Sequence, residues 1–542
     1  MGCIICCMND APFDTLELVP EFAKQDRINA RILISGEIRS SGFDSKPVIS
    51  PCTLRGDDGK LYQPELGTTP NVSEQVFMEA VTSSETAWNK GRGEWATARM
   101  EDRINAIARF KTEILKERGT VCRLLMWEIA KTWTAAQAEF DRTIQYIDDT
   151  LEAVKQLDRE SSRIQFAGGI MAQIRRAPLG VVLCMGPFNY PFNETFATLI
   201  PALIMGNSVV VKTPRFGQLL WDPLLEAFRD CFPKGVVNVV SGAGREIVNP
   251  AVQSGKIDVL AFIGSSPVAN RIKLAHPEPH HFRGVLGLDA KNPALILPDA
   301  NLDVAIAECL KGSLSFNGQR CTALKIIFVE KSIAKKFTER FCEEVEKLKA
   351  GLPWQSGVMI TPLPDPQKPA QLKAYIDEAV AKGARVCNPS GGKVIGSLFF
   401  PAVLDRVPIN SRIAQEEQFG PIVPIVEYEK LEEFENYVVN SPYGMQMSIF
   451  GSNPEVIGTL IDHMSNQVCR INLNTACERG PDVFPFTGRK RSAEGTLSVT
   501  DALRSFSIRS MVAAKTDENG KALVRDVLHG DTSHFLSTHI VL

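Results

Sequence analysis

The sequence predicts an α/β protein built on parallel sheets, and three observations lead to this fold class. The chain has 542 residues, enough for about two or three domains. Several segments of strand length are apolar throughout, which is typical of parallel sheets covered on both faces. These segments alternate with stretches of helical periodicity, as in right-handed βαβ units. We therefore expect a Rossmann-like domain followed by a second α/β domain.

Composition excludes several classes of function. The chain carries 60 Lys and Arg against 63 Asp and Glu, a net charge of −3 without a basic block, so we expect no nucleic-acid partner. Its 13 cysteines do not form the two Cys-x-x-Cys pairs that a zinc site needs. Scattered cysteines are typical of a protein in a reducing compartment and predict neither a disulfide scaffold nor a metal site. No apolar run approaches the roughly 20 residues of a membrane span. We expect a cytoplasmic protein that acts on small ligands.

The N-terminal segment, residues 1–30, is predicted to be a tail. Its start, Met1-Gly2-Cys3-Ile4-Ile5-Cys6-Cys7, exposes Gly2 once the methionine is removed. Acylation of Gly2 and Cys3 would anchor the chain to a membrane, and this is the only membrane contact that we expect. The motif wants Ser or Thr where Cys6 stands, and no polybasic segment follows it. The alternative is an unmodified, disordered tail.

Residues 31–285 are predicted to form the dinucleotide-binding domain. The segment Ile32 to Ile38 has strand character, and a helical stretch from Val72 to Leu157 carries Arg142. The apolar run that follows predicts a strand whose carboxyl end meets Asn189 and Tyr190, where ligands of parallel sheets collect. The alternating segments are strand Leu179 to Met185, helix Asn193 to Met205, strand Ser208 to Val211, helix Leu219 to Cys231, and strands Val236 to Val240 and Val259 to Ile263.

The cofactor phosphates are predicted to bind without the common glycine-rich turn. Gly242-Ala243-Gly244 begins such a turn, but Ile247 stands where G-x-G-x-x-G needs its third glycine. Gly264-Ser265 directly follows a strand, where the N-terminus of a helix can receive phosphate oxygens. Lys212 and Arg215 follow another strand, and two cations there favour a ribose that carries a 2′-phosphate. These residues predict NADP as the cofactor, with NAD as the alternative.

Cys321 is the candidate nucleophile of the second α/β domain, residues 286–495. It lies between a helix-like run, Val304 to Leu314, and a strand-like run, Leu324 to Val329. A cysteine at such a junction, with Arg320 beside it, has a nearby cation, hydrogen-bond donors and room for a substrate. Most free cysteines are buried and inert, so the assignment depends on the rest of the chain.

The last segment, residues 496–542, is predicted to contain a strand and a C-terminal tail. Residues beyond Ala513 are polar and charged, which predicts a surface tail. The alternative for its end is that His534 to Leu542 pairs as an edge strand.

Five motifs, in their order and spacing, resemble the aldehyde dehydrogenase superfamily over most of the chain, from about residue 30 to 515. They are Gly186-Pro187-Phe188-Asn189, Pro201-Ala202-Leu203 with Gly206-Asn207 leading to Lys212, Phe262-Ile263-Gly264-Ser265, Gly318-Gln319-Arg320-Cys321, and Glu417-Gln418-Phe419-Gly420-Pro421. The resemblance implies a cofactor domain without the glycine-rich turn, a catalytic domain, and a small β projection used in oligomerisation. That projection would combine Ser162 to Ala177 with Thr496 to Ala513 in a homodimer or homotetramer.

The resemblance also implies a mechanism. Cys321 would attack an aldehyde carbonyl, while the Asn189 side chain and the backbone N–H of Cys321 stabilise the oxyanion. Hydride would then pass to nicotinamide and leave a thioester. Glu417 would hold the nicotinamide ribose, with Phe419 as a neighbouring cofactor residue.

Within the superfamily, the chain most resembles the non-phosphorylating, NADP-dependent glyceraldehyde-3-phosphate dehydrogenases of glycolysis. The features are an arginine before the nucleophile, a tyrosine after the oxyanion asparagine, and an Arg-Gly pair near a Phe-Pro-Phe segment. Arg320, Tyr190, Arg479 and Arg142 match the subfamily's clamp for the substrate phosphate, and guanidinium groups bind phosphate with paired hydrogen bonds. The implied substrate is a small phosphorylated aldehyde. The alternative for each arginine is an ordinary ion pair.

One position departs from the family pattern. The family's general base is a glutamate in Leu-Glu-Leu-Gly-Gly-Lys, and here Gly287 occupies its place in Leu286-Gly287-Leu288-Asp289-Ala290-Lys291. In the first of three outcomes, Asp289 replaces the base, because residues two apart on a strand share a face. In the second, Lys212, Arg320 and the cofactor lower the thiol pKa, and water releases the product slowly.

In the third outcome the thioester passes to coenzyme A or phosphate, as in acylating members of the superfamily. A different class of function is an inactive relative kept as an oligomeric scaffold or metabolite-binding protein. Retention of Asn189, Arg320, Cys321 and Glu417 argues against it, since a scaffold needs none of them.

Overall fold

A computed structural model describes residues 14–539 and residue 541 of the chain. The predicted acylation of Gly2 and Cys3 lies outside the described residues. Among the described residues, no helix combines the length and the apolar character that a membrane-spanning segment requires.

The described part of the chain forms short and long strands throughout its length. In chain order they are β1 (Ile28–Asn29), β2 (Ile32–Ile34), β3 (Glu37–Arg39), β4 (Asp44–Ile49), β5 (Leu54–Arg55), β6 (Leu61–Tyr62), β7 (Glu65–Asn71), β8 (Ile164–Ala167), β9 (Ile170–Pro178), β10 (Val181–Met185), β11 (Ser208–Lys212), β12 (Val237–Val240), β13 (Val259–Ile263), β14 (Arg283–Gly287), β15 (Asn292–Ile296), β16 (Leu324–Glu330), β17 (Lys349–Ala350), β18 (Val358–Ile360), β19 (Arg385–Val386), β20 (Val394–Ile395), β21 (Leu398–Phe399), β22 (Ala402–Asp405), β23 (Ile422–Tyr428), β24 (Tyr443–Gly444), β25 (Gln446–Phe450), β26 (Arg470–Leu473), β27 (Arg489–Lys490), β28 (Ala493–Glu494) and β29 (Ser507–Lys515).

Helices fill most of the connections between these strands. They are α1 (Glu74–Trp88), α2 (Glu94–Thr97), α3 (Met100–Leu115), α4 (Arg118–Ile129), α5 (Trp133–Ser161), α6 (Asn193–Ile204), α7 (Leu225–Cys231), α8 (Gly244–Gln253), α9 (Ser266–Ala275), α10 (Leu302–Leu314), α11 (Lys331–Glu346), α12 (Lys368–Ala381), α13 (Arg412–Gln415), α14 (Leu431–Asn440), α15 (Pro454–Met464), α16 (Val499–Ser505) and α17 (Glu518–His529).

The first large sheet has the order β28-β14-β13-β10-β11-β12-β2-β3. Its five central strands, β14-β13-β10-β11-β12, pair in parallel. The edge strands β28, β2 and β3 pair antiparallel to their neighbours. Successive side chains of β10 pack in two different apolar clusters: Val182 lies in one and Leu183 in the other. Because successive side chains of a strand point to opposite faces, an apolar strand of this kind needs helices on both sides.

The second large sheet has the order β19-β22-β23-β16-β15-β25-β26 and is parallel except at β19. Between the two sheets the chain changes partner after Gly287, which still pairs in the first sheet, and before Asn292, which pairs in the second. Strand β28 later returns to the first sheet beside β14. The predicted division at residues 285 and 286 therefore falls inside β14.

A three-stranded antiparallel sheet, in the order β29-β9-β8, pairs the segments predicted for the oligomerisation projection. Two of its large apolar side chains are strongly exposed, Phe166 by 68% and Met511 by 61%. An exposed apolar strand surface of this kind is typical of a protein–protein contact.

Two expectations of secondary structure were wrong. The predicted helix Leu219 to Cys231 begins as a 3-10 helix at Leu219–Leu224, which contains Pro223, and becomes α7 only afterwards. Proline has no N–H for an α-helical hydrogen bond. The predicted polar tail after Ala513 instead continues as β29 and then α17, because Asp517 caps that helix through the N–H of Gly520. The described residues from His534 onward form no strand; they pack as an irregular segment.

Candidate active site

Cys321 lies in a tight turn between α10 and β16, and its side chain is half-buried. Phe316 and Asn317 in this turn have positive φ angles of 48° and 56°. Gly318 follows with a φ of +67°, and a Cβ there would lie 2.7 Å from Ser313 O and 2.9 Å from Gly420 O. Glycine is therefore needed at this position, both for its backbone conformation and for the close approach of two loops.

Three buried side chains hold consecutive carbonyl groups of the nucleophile turn. Asn189 Nδ2 donates to Gln319 O at 2.8 Å, Lys325 Nζ to Arg320 O at 2.6 Å, and Asn292 Nδ2 to Cys321 O at 2.7 Å. An amide nitrogen carries two hydrogens, so Asn189 keeps one for a substrate oxygen. The turn is thus fixed from three directions, and one of the donors can also serve an oxyanion.

Burial raises the pKa of the Cys321 thiol above its ordinary value, and Lys325 is the first of the charges that oppose this shift. Arg320 also lowers the thiol pKa, whereas Glu417 raises it. Lys212, which we predicted to assist the thiol, is not among the groups that shift this pKa. Sequence reasoning missed Lys325, although a lysine in the apolar strand segment Leu324 to Val329 was a usable signal.

Glu417 lies opposite this lysine, with its Oε1 atom 2.8 Å from Lys325 Nζ. Burial raises the pKa of Glu417, and the Lys325 charge opposes the shift. Phe419 follows with a φ of 43°, and its ring centre lies 4.9 Å from Lys325 Nζ and 5.8 Å from the ring centre of Phe188. The turn with the nucleophile and the loop with Glu417 therefore share one buried cation.

Gly287 is buried at the end of β14, where the family's base would stand. A Cβ there would meet its neighbours at ordinary contact distances, 3.4 Å to Ile263 and 3.7 Å to Leu497. Asp289, the predicted substitute, uses its Oδ2 atom to accept hydrogen bonds from Ser266 N and Ser266 Oγ, both at 2.7 Å. The carboxylate thus caps the N-terminus of α9, which gives it a structural role beside the catalytic one that remains a prediction.

The predicted cofactor residues lie in three different environments. Lys212 is 8% exposed, its side-chain nitrogen makes no hydrogen bond or ion pair with any described residue, and burial lowers its pKa to about 8. Its Nζ lies 3.7 Å from the point that a Cβ atom on Gly244 would occupy, and Gly244 is the first residue of α8. Arg215 is instead exposed by 67%, with a weak pair to Asp365 at 3.5 Å. Gly264-Ser265 forms the turn that leads into α9.

The buried ammonium group of Lys212 indicates whether a dinucleotide fits this part of the structure. A buried ammonium without a protein partner is costly, and an anionic or hydroxyl-rich ligand would offset that cost. The residues present are consistent with NADP, since a ribose with a 2′-phosphate supplies both kinds of group.

Two of the predicted clamp residues are joined by carboxylates. Arg142 pairs with Asp482 through two hydrogen bonds of 2.8 Å, and Arg479 pairs with Asp482 at 3.2 Å and with Glu194. The Arg479 side chain is 4% exposed, and burial lowers its pKa to about 10. Two guanidinium groups and two carboxylates give this network no net positive charge. Sequence reasoning missed both acids: Glu194 is 285 positions from Arg479 and Asp482 is 340 positions from Arg142, although Asp482 is only three residues from Arg479.

The other two clamp residues have different surroundings. Tyr190 lies under Lys131, whose Nζ is 3.6 Å from the ring centre and donates to Asn189 O at 2.8 Å. Lys131 also forms a buried pair with Glu139. Arg320 donates to Gly312 O at 2.9 Å, at the C-terminal end of α10, which caps that helix. In the structure Arg142 and Arg479 therefore share the partner Asp482, whereas Arg320 binds the C-terminal end of α10.

Comparison with known proteins gives a consistent result over most of the chain. The sequence profile of the aldehyde dehydrogenase family matches residues 61–512. The NADP-dependent glyceraldehyde-3-phosphate dehydrogenase of Streptococcus equinus is 32% identical over 473 residues, which are 85% of this chain and 96% of the relative. The malonate-semialdehyde dehydrogenase of Bacillus cytotoxicus is 27% identical over 495 residues, 89% of this chain and 97% of that protein.

A solved structure supports the same likeness. The NADP-dependent glyceraldehyde-3-phosphate dehydrogenase from Bacillus halodurans C-125, complexed with NADP, superposes with a TM-score of 0.81 at 30% identity. The match covers 91% of this chain and 100% of that one.

Proposed function

This chain belongs to the aldehyde dehydrogenase family, and on that premise we propose that it oxidises glyceraldehyde 3-phosphate to 3-phosphoglycerate with NADP. The observation that carries the proposal is the turn at Cys321, where the thiol, the Asn189 amide and the Lys325 ammonium converge on one short segment. An inert cysteine needs none of these neighbours.

The first step is addition of the Cys321 thiolate to the carbonyl carbon, with the bonding electrons moving to the carbonyl oxygen. Lys325 favours the thiolate, while the free hydrogen of Asn189 Nδ2 and the Cys321 N–H bind the new oxyanion. The chemistry that NADP supplies when bound is acceptance of a hydride from the substrate carbon, which leaves a thioester on Cys321. An incoming nucleophile then attacks the thioester and returns the thiol.

The cofactor residues of this proposal are Lys212, the Gly264-Ser265 turn, Glu417 and Phe419. Lys212 is the strongest among them, because it is buried without an anionic protein partner. Arg215 is exposed and has to leave Asp365 to reach a 2′-phosphate. NADP is the preferred cofactor, and NAD, which lacks that phosphate, is the alternative.

The anionic end of the substrate would bind at Arg142 and Arg479. Their shared partner Asp482 has to release part of this pairing, because a phosphate dianion beside a paired carboxylate is repelled. The same groups fit a carboxylate, so another short anionic aldehyde is the second candidate substrate. The malonate-semialdehyde dehydrogenase among the relatives supports including it.

The fate of the thioester has two candidate outcomes. Gly287 supplies no base, and Asp289 is engaged by Ser266, so attack by water lacks an evident proton acceptor. This arrangement favours acyl transfer to coenzyme A or phosphate as the second candidate reaction. The third hypothesis is an inactive scaffold. The hydrogen-bond donors around Cys321 argue against it, because a scaffold does not need them. The projection formed by β8, β9 and β29 supports a homodimer or homotetramer.

The test is the ultraviolet absorbance of reduced cofactor after mixing with glyceraldehyde 3-phosphate and NADP, with and without coenzyme A or phosphate. Turnover without an added acceptor supports hydrolysis, and turnover that requires one supports acyl transfer. Cys321→Ser should remove the signal under every condition. Absence of a signal from the unaltered protein, with malonate semialdehyde as a second substrate, would favour the inactive reading.

The clamp has its own test, which compares substrates with and without a charged end. Arg142→Met should raise the KM for glyceraldehyde 3-phosphate by about ten-fold or more, because one charge-assisted contact is lost. The KM for uncharged glyceraldehyde should change little. An equal change in KM for both substrates would contradict the assignment of Arg142 to a phosphate clamp. It would not affect the proposal that Cys321 is the nucleophile.

A further inference from the structure

A large open cavity lies away from the candidate active site. Its volume is about 650 Å³, and none of the residues assigned above to the nucleophile, cofactor or clamp lines it. It is lined by the start of α3, the end of α5, strand β9 and the C-terminal segment. Cavities of about 300–1,000 Å³ are typical of sites for small molecules.

The most informative residue of this cavity is Arg103, whose side chain lines it while the residue is only 6% exposed. The Nε atom has no hydrogen-bond partner among the described residues. The terminal nitrogens make only long contacts, from Nη1 to Trp95 O at 3.5 Å and from Nη2 to Met100 Sδ at 3.9 Å. Burial lowers the pKa of Arg103 to about 10. A guanidinium this poorly satisfied is costly unless a ligand completes it.

The charges around the cavity are unbalanced. Arg103, Arg175 and Arg176 line it, and Asp158 is the one carboxylate among the described lining residues. That carboxylate pairs with Arg175 at 2.9 Å. Arg176 donates only to neutral oxygens, Ser507 Oγ at 2.6 Å among them. Arg103 and Arg176 form no ion pair with a carboxylate of the described residues, although Asp158 and Asp102 act on Arg103 at longer range. This excess of positive charge favours an anion.

The C-terminal segment closes one side of the cavity and is firmly attached. Asp531 pairs with Arg99 at 2.6 Å, His534 Nδ1 lies 2.7 Å from Thr97 O, and the Ser537 backbone exchanges hydrogen bonds with the Gln173 side chain. The remaining walls are partly apolar and include Trp88, Met100 and Phe535. A ligand with one charged end and a carbon skeleton would match both kinds of wall.

We propose that this cavity binds a small organic phosphate, with the phosphoryl group between Arg103 and Arg176 and the carbon skeleton against Trp88 and Phe535. The site is independent of the proposed reaction, because it shares no residue with the candidate active site. Inorganic phosphate is the simplest probe, since it carries the group that the arginines recognise.

The experiment measures thermal stability of the full chain, saturated with NADP, as inorganic phosphate replaces chloride at constant ionic strength. A ligand that binds only the folded state raises the melting temperature. Arg103→Met should weaken phosphate binding by about ten-fold or more, since one charge-assisted contact is removed. Arg109→Met on the exposed side of the same helix is the matched control and should leave phosphate binding unchanged. Arg142→Met removes any contribution of the clamp to phosphate binding, and the part of the shift that depends on Arg103 should remain in it, which separates this site from the clamp.

A second variant covers the case in which Arg103→Met does not fold. Met100→Glu places a carboxylate in the first turn of α3, where negative charge stabilises a helix, and within reach of the Arg103 guanidinium. We expect a higher melting temperature without phosphate and at least about ten-fold weaker phosphate binding. Phosphate binding that persists in both variants, is lost in Arg142→Met, or is absent from the unaltered chain overturns the proposal.

Discussion

Asp289 Oδ2 accepts hydrogen bonds from the backbone nitrogen and from the hydroxyl of Ser266, both at 2.7 Å. A carboxylate in this position completes the first turn of α9. The same residue is the predicted substitute for the missing base, so its two roles lead to different expectations for one pair of variants.

Asp289→Asn keeps an oxygen acceptor and removes the ionisable group. If the residue acts as a cap, this variant should retain both stability and the rate of thioester breakdown, while Asp289→Ala should lose about 1 kcal/mol of unfolding free energy. Urea unfolding and single-turnover kinetics measure the two quantities. A large loss of thioester breakdown in Asp289→Asn, with unchanged stability, would assign the base to Asp289 instead.

Gly287→Glu should restore a general base. The backbone has room for a Cβ at this buried position, with the nearest side-chain atoms at 3.4 Å and beyond. When thioester breakdown limits turnover, release of the acid should accelerate by about 100-fold, the usual contribution of a positioned base. Gly287→Gln, of equal size but without basicity, is the control. The same acceleration in both variants would show that packing, rather than proton transfer, was responsible.

Lys325→Met should make the thiol less reactive. Loss of this cation removes the main charge that opposes the raised pKa of Cys321, so the thiolate fraction at neutral pH should fall by about ten-fold. The rate of alkylation by iodoacetamide measures this fraction, and in the unaltered protein it should still be rising with pH above the neutral range, because the thiol pKa is raised.

The same substitution should also reduce stability. It leaves Glu417 buried without its partner at 2.8 Å, which costs about 3 kcal/mol or more for a broken buried pair. Adding Glu417→Gln should recover most of the stability and part of the alkylation rate, because the Glu417 charge raises the thiol pKa. If the double variant recovers stability without any gain in the alkylation rate, the thiol and the ion pair are not coupled in the way we describe.

NADP affinity should depend on pH through Lys212. Burial lowers the pKa of Lys212 to about 8, so its positive charge is present at pH 7 and is lost as the pH rises through 8. Affinity for NADP should therefore fall by about three- to ten-fold between about pH 7 and pH 9.5, and NAD should show a smaller change. Fluorescence titration measures both constants. Lys212→Met should weaken NADP binding at neutral pH and remove most of the pH dependence; an unchanged slope in that variant would exclude Lys212 as its source.

Much of the framework was accessible from sequence because its signals are local. Strands β10, β11 and β13 are short apolar runs, and their ends lie within about two residues of the prediction. The helix α6 begins at Asn193 as expected. Here local pattern and final packing agree, since these strands are buried on both faces and admit few alternatives.

The site was less accessible because its side-chain partners are distant along the chain. Arg142 and Asp482 are separated by 340 positions, and Asp289 and Ser266 by 23. Periodicity cannot reveal such pairs, so the sequence predicts a phosphate clamp with ordinary ion pairs as the alternative, and in the structure carboxylates hold Arg142 and Arg479. The C-terminal helix was missed for a different reason: none of its residues is buried, and polar composition alone does not distinguish a solvated helix from a tail.

The close approach of Gly318 to the Gly420 carbonyl group bears on how combined variants should be interpreted. Backbone meets backbone there, so neither loop can shift without disturbing the other. Substitutions around Cys321 and around Glu417 should therefore not be additive, and their interaction free energy, obtained from a double-mutant cycle, reports how tightly the two loops move as a unit.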